Sequence, residues 1–162
     1  MTETIYTKNA ETNQLIVERK FNGPIDLVWS AWTKPELLDQ WWAPHPFFTE
    51  TKTLMFEVGG HWLYTMNGPE GLVHWCRADY TAISPKVFFD LISGFCDEEG
   101  APSAEILPTE WHVVFQAEGD QTLVKVDIQF PSAETMQQHI EMGFKEGFAA
   151  AHQNLDQLLT NL

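Results

Sequence analysis

Positive charge is scarce in this chain. Nine Lys and Arg stand against 23 Asp and Glu, a formal net charge of −14 at pH 7. A phosphate backbone would be repelled, so nucleic acid is not an expected partner, and anionic membrane surfaces are disfavoured for the same reason. Cysteine is nearly absent: Cys76 and Cys96 are the only two, with no CxxC spacing. Neither a disulfide framework nor a thiolate metal site follows from two isolated thiols. No apolar run approaches the ~20 residues needed to span a bilayer. The opening MTETIYTKNAETNQ has neither the basic nor the apolar region of a signal peptide, so a reducing cytoplasm is the expected location. HExxH, GxSxG, a Walker loop and a dinucleotide fingerprint are all missing. The expectation is therefore no metal, no cofactor and no assignable catalytic residue.

Aromatic residues are abundant. Seven Trp and eleven Phe contribute to an aromatic share of 13% within 44% hydrophobic residues. That is enough apolar material for one sizeable core in 162 residues. Residues 1–13 are polar and read as a flexible N-terminus, leaving 14–162 as a single domain.

Leu15 to Phe21 alternates as a first strand, which Asn22-Gly23-Pro24 stops. Pro24 suits the first helical position, and Ile25, Val28, Trp29 and Trp32 fall at helical spacing behind it. Thr33-Lys34-Pro35-Glu36 restarts a second short helix carrying Leu37, Leu38, Trp41 and Trp42. From Phe47 to Phe130 the apolar period becomes two. Trp62, Tyr64 and Met66 share a face, as do His74, Cys76, Ala78 and Tyr80, and as do Trp111, Val113 and Phe115. Gly68-Pro69-Glu70-Gly71 marks a hairpin, and the acidic stretch Cys96 to Pro108 reads as the longest loop. Ser132 caps a final helix expected to run unbroken from Ala133 to Leu159, with Met136, Ile140, Phe144, Phe148, Ala151 and Leu155 on its apolar side. This order suggests an α+β fold, a curved antiparallel sheet gripping one long helix around an apolar hollow.

Several of these pieces are shared with a known superfamily. They are Phe21, Pro24, Val28-Trp29, Ala31-Trp32-Thr33, Pro35-Glu36, Trp41-Trp42 and Pro44. Gly59-Gly60-His61-Trp62, Ser84-Pro85 and Gly143-Phe144-Lys145-Glu146-Gly147 follow in the same order. Over residues 14–162 the chain resembles the helix-grip START and polyketide-cyclase-like superfamily, within it the branch similar to the heat-shock-protein-90 ATPase activator. The resemblance implies a six-to-seven-stranded curved sheet wrapped around a long C-terminal helix, with two short helices after the first strand and a cavity between sheet and helix.

On that arrangement Trp62, Tyr64, Met66, Trp111, Val113, Phe144 and Phe148 are the expected cavity wall. Aromatic walls with a few polar tips hold apolar ligands. The expected entrance lies between the Cys96–Pro108 loop and the stretch around Ala43–Phe48. The leading functional expectation is binding of a small hydrophobic or aromatic molecule. An alternative is a cyclase or hydrolase, which needs a polar acid–base pair in the hollow such as Tyr64 with Asp90. Another is a protein-interaction domain, a chaperone cofactor or homodimer. Gly143 and Gly147, expected one turn apart inside the helix, either thin it beside a ligand or let it pack closely on the sheet.

Overall fold

In the computed structural model, which describes residues 3–162, eight antiparallel strands form one sheet in the order β1-β2-β8-β7-β6-β5-β4-β3. The strands are β1 (Ile5–Asn9), β2 (Gln14–Phe21), β3 (Phe48–Leu54), β4 (His61–Asn67), β5 (Val73–Ser84), β6 (Phe88–Phe95), β7 (Thr109–Glu118) and β8 (Gln121–Gln129). The alternation seen in the sequence is the alternation of burial. Leu15 and Val17 of β2, Val124, Val126 and Ile128 of β8, and Trp111, Val113 and Phe115 of β7 all face the core. Register fixes their meeting, with Leu15 opposite Ile128 and Ile128 opposite Trp111.

The strand count exceeds the expected six to seven because residues 5–9, assigned to a flexible terminus, pair with β2 instead. Met1 and Thr2 lie outside the described residues. β1 is an edge strand with little apolar burial, so period-two alternation is weak there. Its anchor comes from far along the chain: the Tyr6 hydroxyl donates to the Lys145 carbonyl at 2.6 Å.

Helices α1 (Ile25–Thr33) and α2 (Pro35–Trp41) follow β2. Lys34 between them is extended, with φ −100° and ψ 129°, because the ring of Pro35 disfavours the helical region for its predecessor. Buried Val28, Trp29, Ala31 and Trp32 from α1, with Leu38 and Trp41 from α2, fill one end of the hollow. Trp41 Nε1 donates to the Ala31 carbonyl at 2.8 Å, which locks the two short helices together. Between β3 and β4, Gly60 has no alternative, since a Cβ there would sit 2.2 Å from the Met55 carbonyl oxygen.

The C-terminal rod is not one helix. It breaks into α3 (Ala133–Glu141) and α4 (Phe144–Leu159). Gly143 between them has φ +86°, the left-handed conformation that ends helices and that glycine adopts without penalty. The apolar spacing Met136, Ile140, Phe144, Phe148 runs through the break because both helices turn the same side toward the sheet. Ser132 caps α3 as expected, accepting from the Thr135 N–H at 3.1 Å. No described helix is long and apolar enough to cross a membrane.

Candidate functional site

Between the concave face of the sheet and the α3–α4 junction lies a cavity of about 240 Å³. This is somewhat below the usual range for small-molecule sites, roughly 300–1,000 Å³. Its walls come from three directions. The sheet contributes Tyr64 and Met66 of β4, Cys76 of β5, Ser93 to Phe95 of β6, and Thr109 and Trp111 of β7. The short-helix end contributes Trp42 and Pro44. The helical side contributes His139, Met142, Gly143, Phe144, Gly147 and Phe148. None of these side chains carries a fixed charge.

The aromatic walls are ordered by mutual edge contacts. Trp111 meets Phe148 at 5.6 Å and Phe144 at 6.1 Å between ring centres, and Trp42 meets Phe148 at 5.8 Å. Their polar tips are mostly spent internally. Trp42 Nε1 donates to the Tyr64 hydroxyl at 3.0 Å and Trp111 Nε1 to Thr109 Oγ1 at 2.9 Å. His139 Nδ1–H donates to the Thr135 carbonyl at 2.9 Å, so Nε2 is the ring nitrogen left over. Burial pushes the Tyr64 hydroxyl well above its ordinary pKa, and the Cys76 thiol beside it is pushed up to about 12, again mainly by burial. Both groups are neutral at physiological pH, and Cys76 is no thiolate nucleophile.

Beneath the cavity is a second, smaller void of about 20 Å³. Trp42, Tyr64, Ser93 and Trp111 border both spaces. Of the expected wall residues, Tyr64, Met66, Trp111, Phe144 and Phe148 line the main cavity, whereas Trp62 and Val113 line the inner void. Trp62 stacks on Tyr64 at 3.9 Å and anchors its own N–H on Thr51 Oγ1 at 3.0 Å. Val113 is wholly buried.

The expected entrance needs correction. The Cys96–Pro108 loop folds over the outer face, where Cys96, Gly100, Pro102 and Ser103 border a shallow depression with Arg77, Asp79 and Ile92. Only its flanking residues Phe95 and Thr109 reach the main cavity, whereas the other expected stretch, Ala43–Phe48, contributes Pro44 to the lining. Met142 and Gly143, at the helix break hidden in the sequence by unbroken periodicity, line it as well. Gly147 also borders the cavity, and the nearest atom a Cβ there would meet is Pro44 Cγ at 3.6 Å. Its missing side chain therefore leaves space, not a tight helix-to-sheet contact.

Asp90 is also relocated. It stands on the convex face opposite His112, to which it is hydrogen-bonded, on the far side of the sheet from Tyr64. The Tyr64–Asp90 acid–base pair therefore does not form. Asp79 likewise points outward and holds Arg77 through Nε and Nη2 at 2.9–3.1 Å. Sequence reasoning missed Ser93, Thr109 and His139. The first two share the inward parity of their strands, and His139 lies one helical turn before the glycine break.

Two solved structures place this geometry among known proteins. A crystal structure from Mycobacterium smegmatis has 25% identity and a TM-score of 0.89, covering 97% of this chain and 96% of that one. A solution NMR structure from Arthrobacter aurescens has 30% identity and a TM-score of 0.91, covering 98% and 92%. No curated protein matches the chain. The profile of the family described as Activator of Hsp90 ATPase homolog 1-like protein matches residues 22–160. With its helix-grip architecture, the chain belongs to that family.

Proposed function

We propose that this protein is a cytoplasmic, non-enzymatic receptor for a small, uncharged, hydrophobic or aromatic molecule held between sheet and helices. The observation that carries this reading is the cavity wall itself, apolar, aromatic and without a Lys, Arg, Asp or Glu. A carboxylate or phosphate entering it would lose water without gaining a counter-charge. A flat apolar ligand would instead exchange water for ring faces, worth roughly 25 cal/mol per Å² buried before ordering costs. Tyr64 and Cys76 hold their protons firmly, which favours binding over acid–base chemistry. Both cysteines are free, in keeping with a reducing compartment.

Gly147 offers a clean test. Gly147→Leu fills the cavity from the helix side while replacing a helical glycine by a better helix former. Titration with the neutral dye N-phenyl-1-naphthylamine should show at least a tenfold loss of affinity in this variant, with thermal stability kept or raised. Phe144→Ala should weaken the same dye by removing a wall. Undiminished dye binding in a folded Gly147→Leu protein would end the proposal.

A further inference from the structure

The inner void is bordered by polar groups that the fold leaves without partners. Trp32 is 3% exposed, and its buried Nε1 makes no hydrogen bond among the described residues. The neighbouring indoles differ: Trp41, Trp42, Trp62 and Trp111 all have their N–H groups satisfied. Tyr80, also 3% exposed, likewise lines the void and has no hydrogen bond for its hydroxyl among the described residues. The same desolvation that affects Tyr64 raises the Tyr80 pKa above its ordinary value, so its proton stays available for donation. Ser93 borders both spaces and has no side-chain partner among the described residues.

These groups sit where the topology brings them together. Tyr80 faces the hollow from β5 opposite Leu91, and Ser93 faces it from β6, two residues further along the same strand. Trp32 closes the void from α1. Buried polar groups in folded proteins are almost always partnered. The Trp32 Nε1 is sealed from the void as it is from any partner, whereas the Tyr80 and half-buried Ser93 hydroxyls border open space without one, which marks a place where a polar group can bind. Each of these two hydroxyls has a proton to donate. A neutral oxygen acceptor placed between them satisfies both. A volume of about 20 Å³ accommodates roughly one oxygen-sized group, as one water does.

We propose that the inner void is an oxygen-accepting end-pocket of the ligand site. It takes the terminal neutral oxygen of a ligand, such as a ketone carbonyl, whose apolar body fills the outer cavity. The inference rests on the receptor reading and specifies its ligand class. Tyr80 and Ser93 supply the donated hydrogen bonds. The outer cavity selects for apolar area and the inner void for a single acceptor at one end.

The test compares two neutral probes of similar shape, 2-acetylnaphthalene and 2-isopropylnaphthalene, by calorimetric or fluorescence titration. Wild type should prefer the ketone by about three- to tenfold, the span of one net hydrogen bond. Tyr80→Phe should remove most of that preference. Ser93→Ala, the smaller change, should reduce it partway and provides a second folded variant. Hydrocarbon binding with no ketone preference in wild type would overturn the end-pocket and leave the receptor reading standing. A ketone preference that survives both substitutions would do the same. Failure of both probes to bind wild type would overturn both.

Discussion

His152 is a titratable residue buried within the aromatic core. It is 2% exposed and lies one turn beyond Phe148 on α4, with ring centres 4.2 Å apart. Its Nδ1 is 2.9 Å from Thr4 Oγ1, and Arg19 Nη1 donates to that same oxygen at 2.8 Å. With Arg19 donating to it, the Thr4 hydroxyl can donate to Nδ1 or accept from it. Nε2 finds no partner; the rings of Phe21, Trp32, Trp41 and Phe148 pack around the imidazole. Burial first, and the Arg19 guanidinium second, hold its pKa down to about 3 from 6.5. Arg19 is itself ion-paired to Asp156 at 2.5 Å, which completes the charged surroundings. A depressed histidine pKa stabilises the fold fully above about pH 6.5, and the contribution is lost as pH falls toward 3. Urea unfolding of wild type and His152→Leu between pH 7 and 4 should therefore show the stability gap shifting against wild type. The expected slope is about 1.4 kcal/mol per pH unit below pH 6. A gap independent of pH would mean that this ring is reached by protons in the native state.

The two glycines of the C-terminal helices give opposite expectations at the level of the element. Gly143 has φ +86°, so Gly143→Ala should destabilise by about 1–2 kcal/mol, the penalty for a side chain in the left-handed region. Gly147 lies within α4, and its Cβ would meet only Pro44 Cγ at 3.6 Å. Gly147→Ala should stabilise by about 0.5–1 kcal/mol. Denaturant midpoints of the two variants check both signs, and equal shifts would show that the rod is continuous in solution. Sequence patterning could not separate these glycines, because apolar spacing persists across the break and only backbone geometry distinguishes them. The same limit explains β1. Ile5 is exposed and Tyr6 half-buried, so its pairing with β2 depends on backbone hydrogen bonds that leave little trace in residue type. Inward strand residues such as Tyr64, Trp111 and Val113 were legible because burial on a sheet has period two. Whether such a residue faces the outer cavity or the inner void depends on its depth along the strand, which period alone does not give.

Across the whole molecule, charge and binding separate. Among the described residues, four of the nine basic side chains are in ion pairs with carboxylates, Arg19, Lys20, Arg77 and Lys86, and a net charge of −14 remains to repel itself over the surface. Raising salt from about 10 mM to about 150 mM shortens the screening length from roughly 30 Å to roughly 8 Å. The melting temperature at pH 7 should rise over that range. An uncharged ligand in an uncharged cavity feels none of this, so the dissociation constant of N-phenyl-1-naphthylamine should stay within about twofold while stability climbs. An organic cation would be drawn in by the surrounding acidity, and its affinity would fall as salt was added. Measuring both quantities in one salt series thus reads the ligand's charge class without knowing its identity. A natural ligand whose affinity followed the salt concentration would be charged, contrary to a cavity built from indole, phenyl and phenol rings.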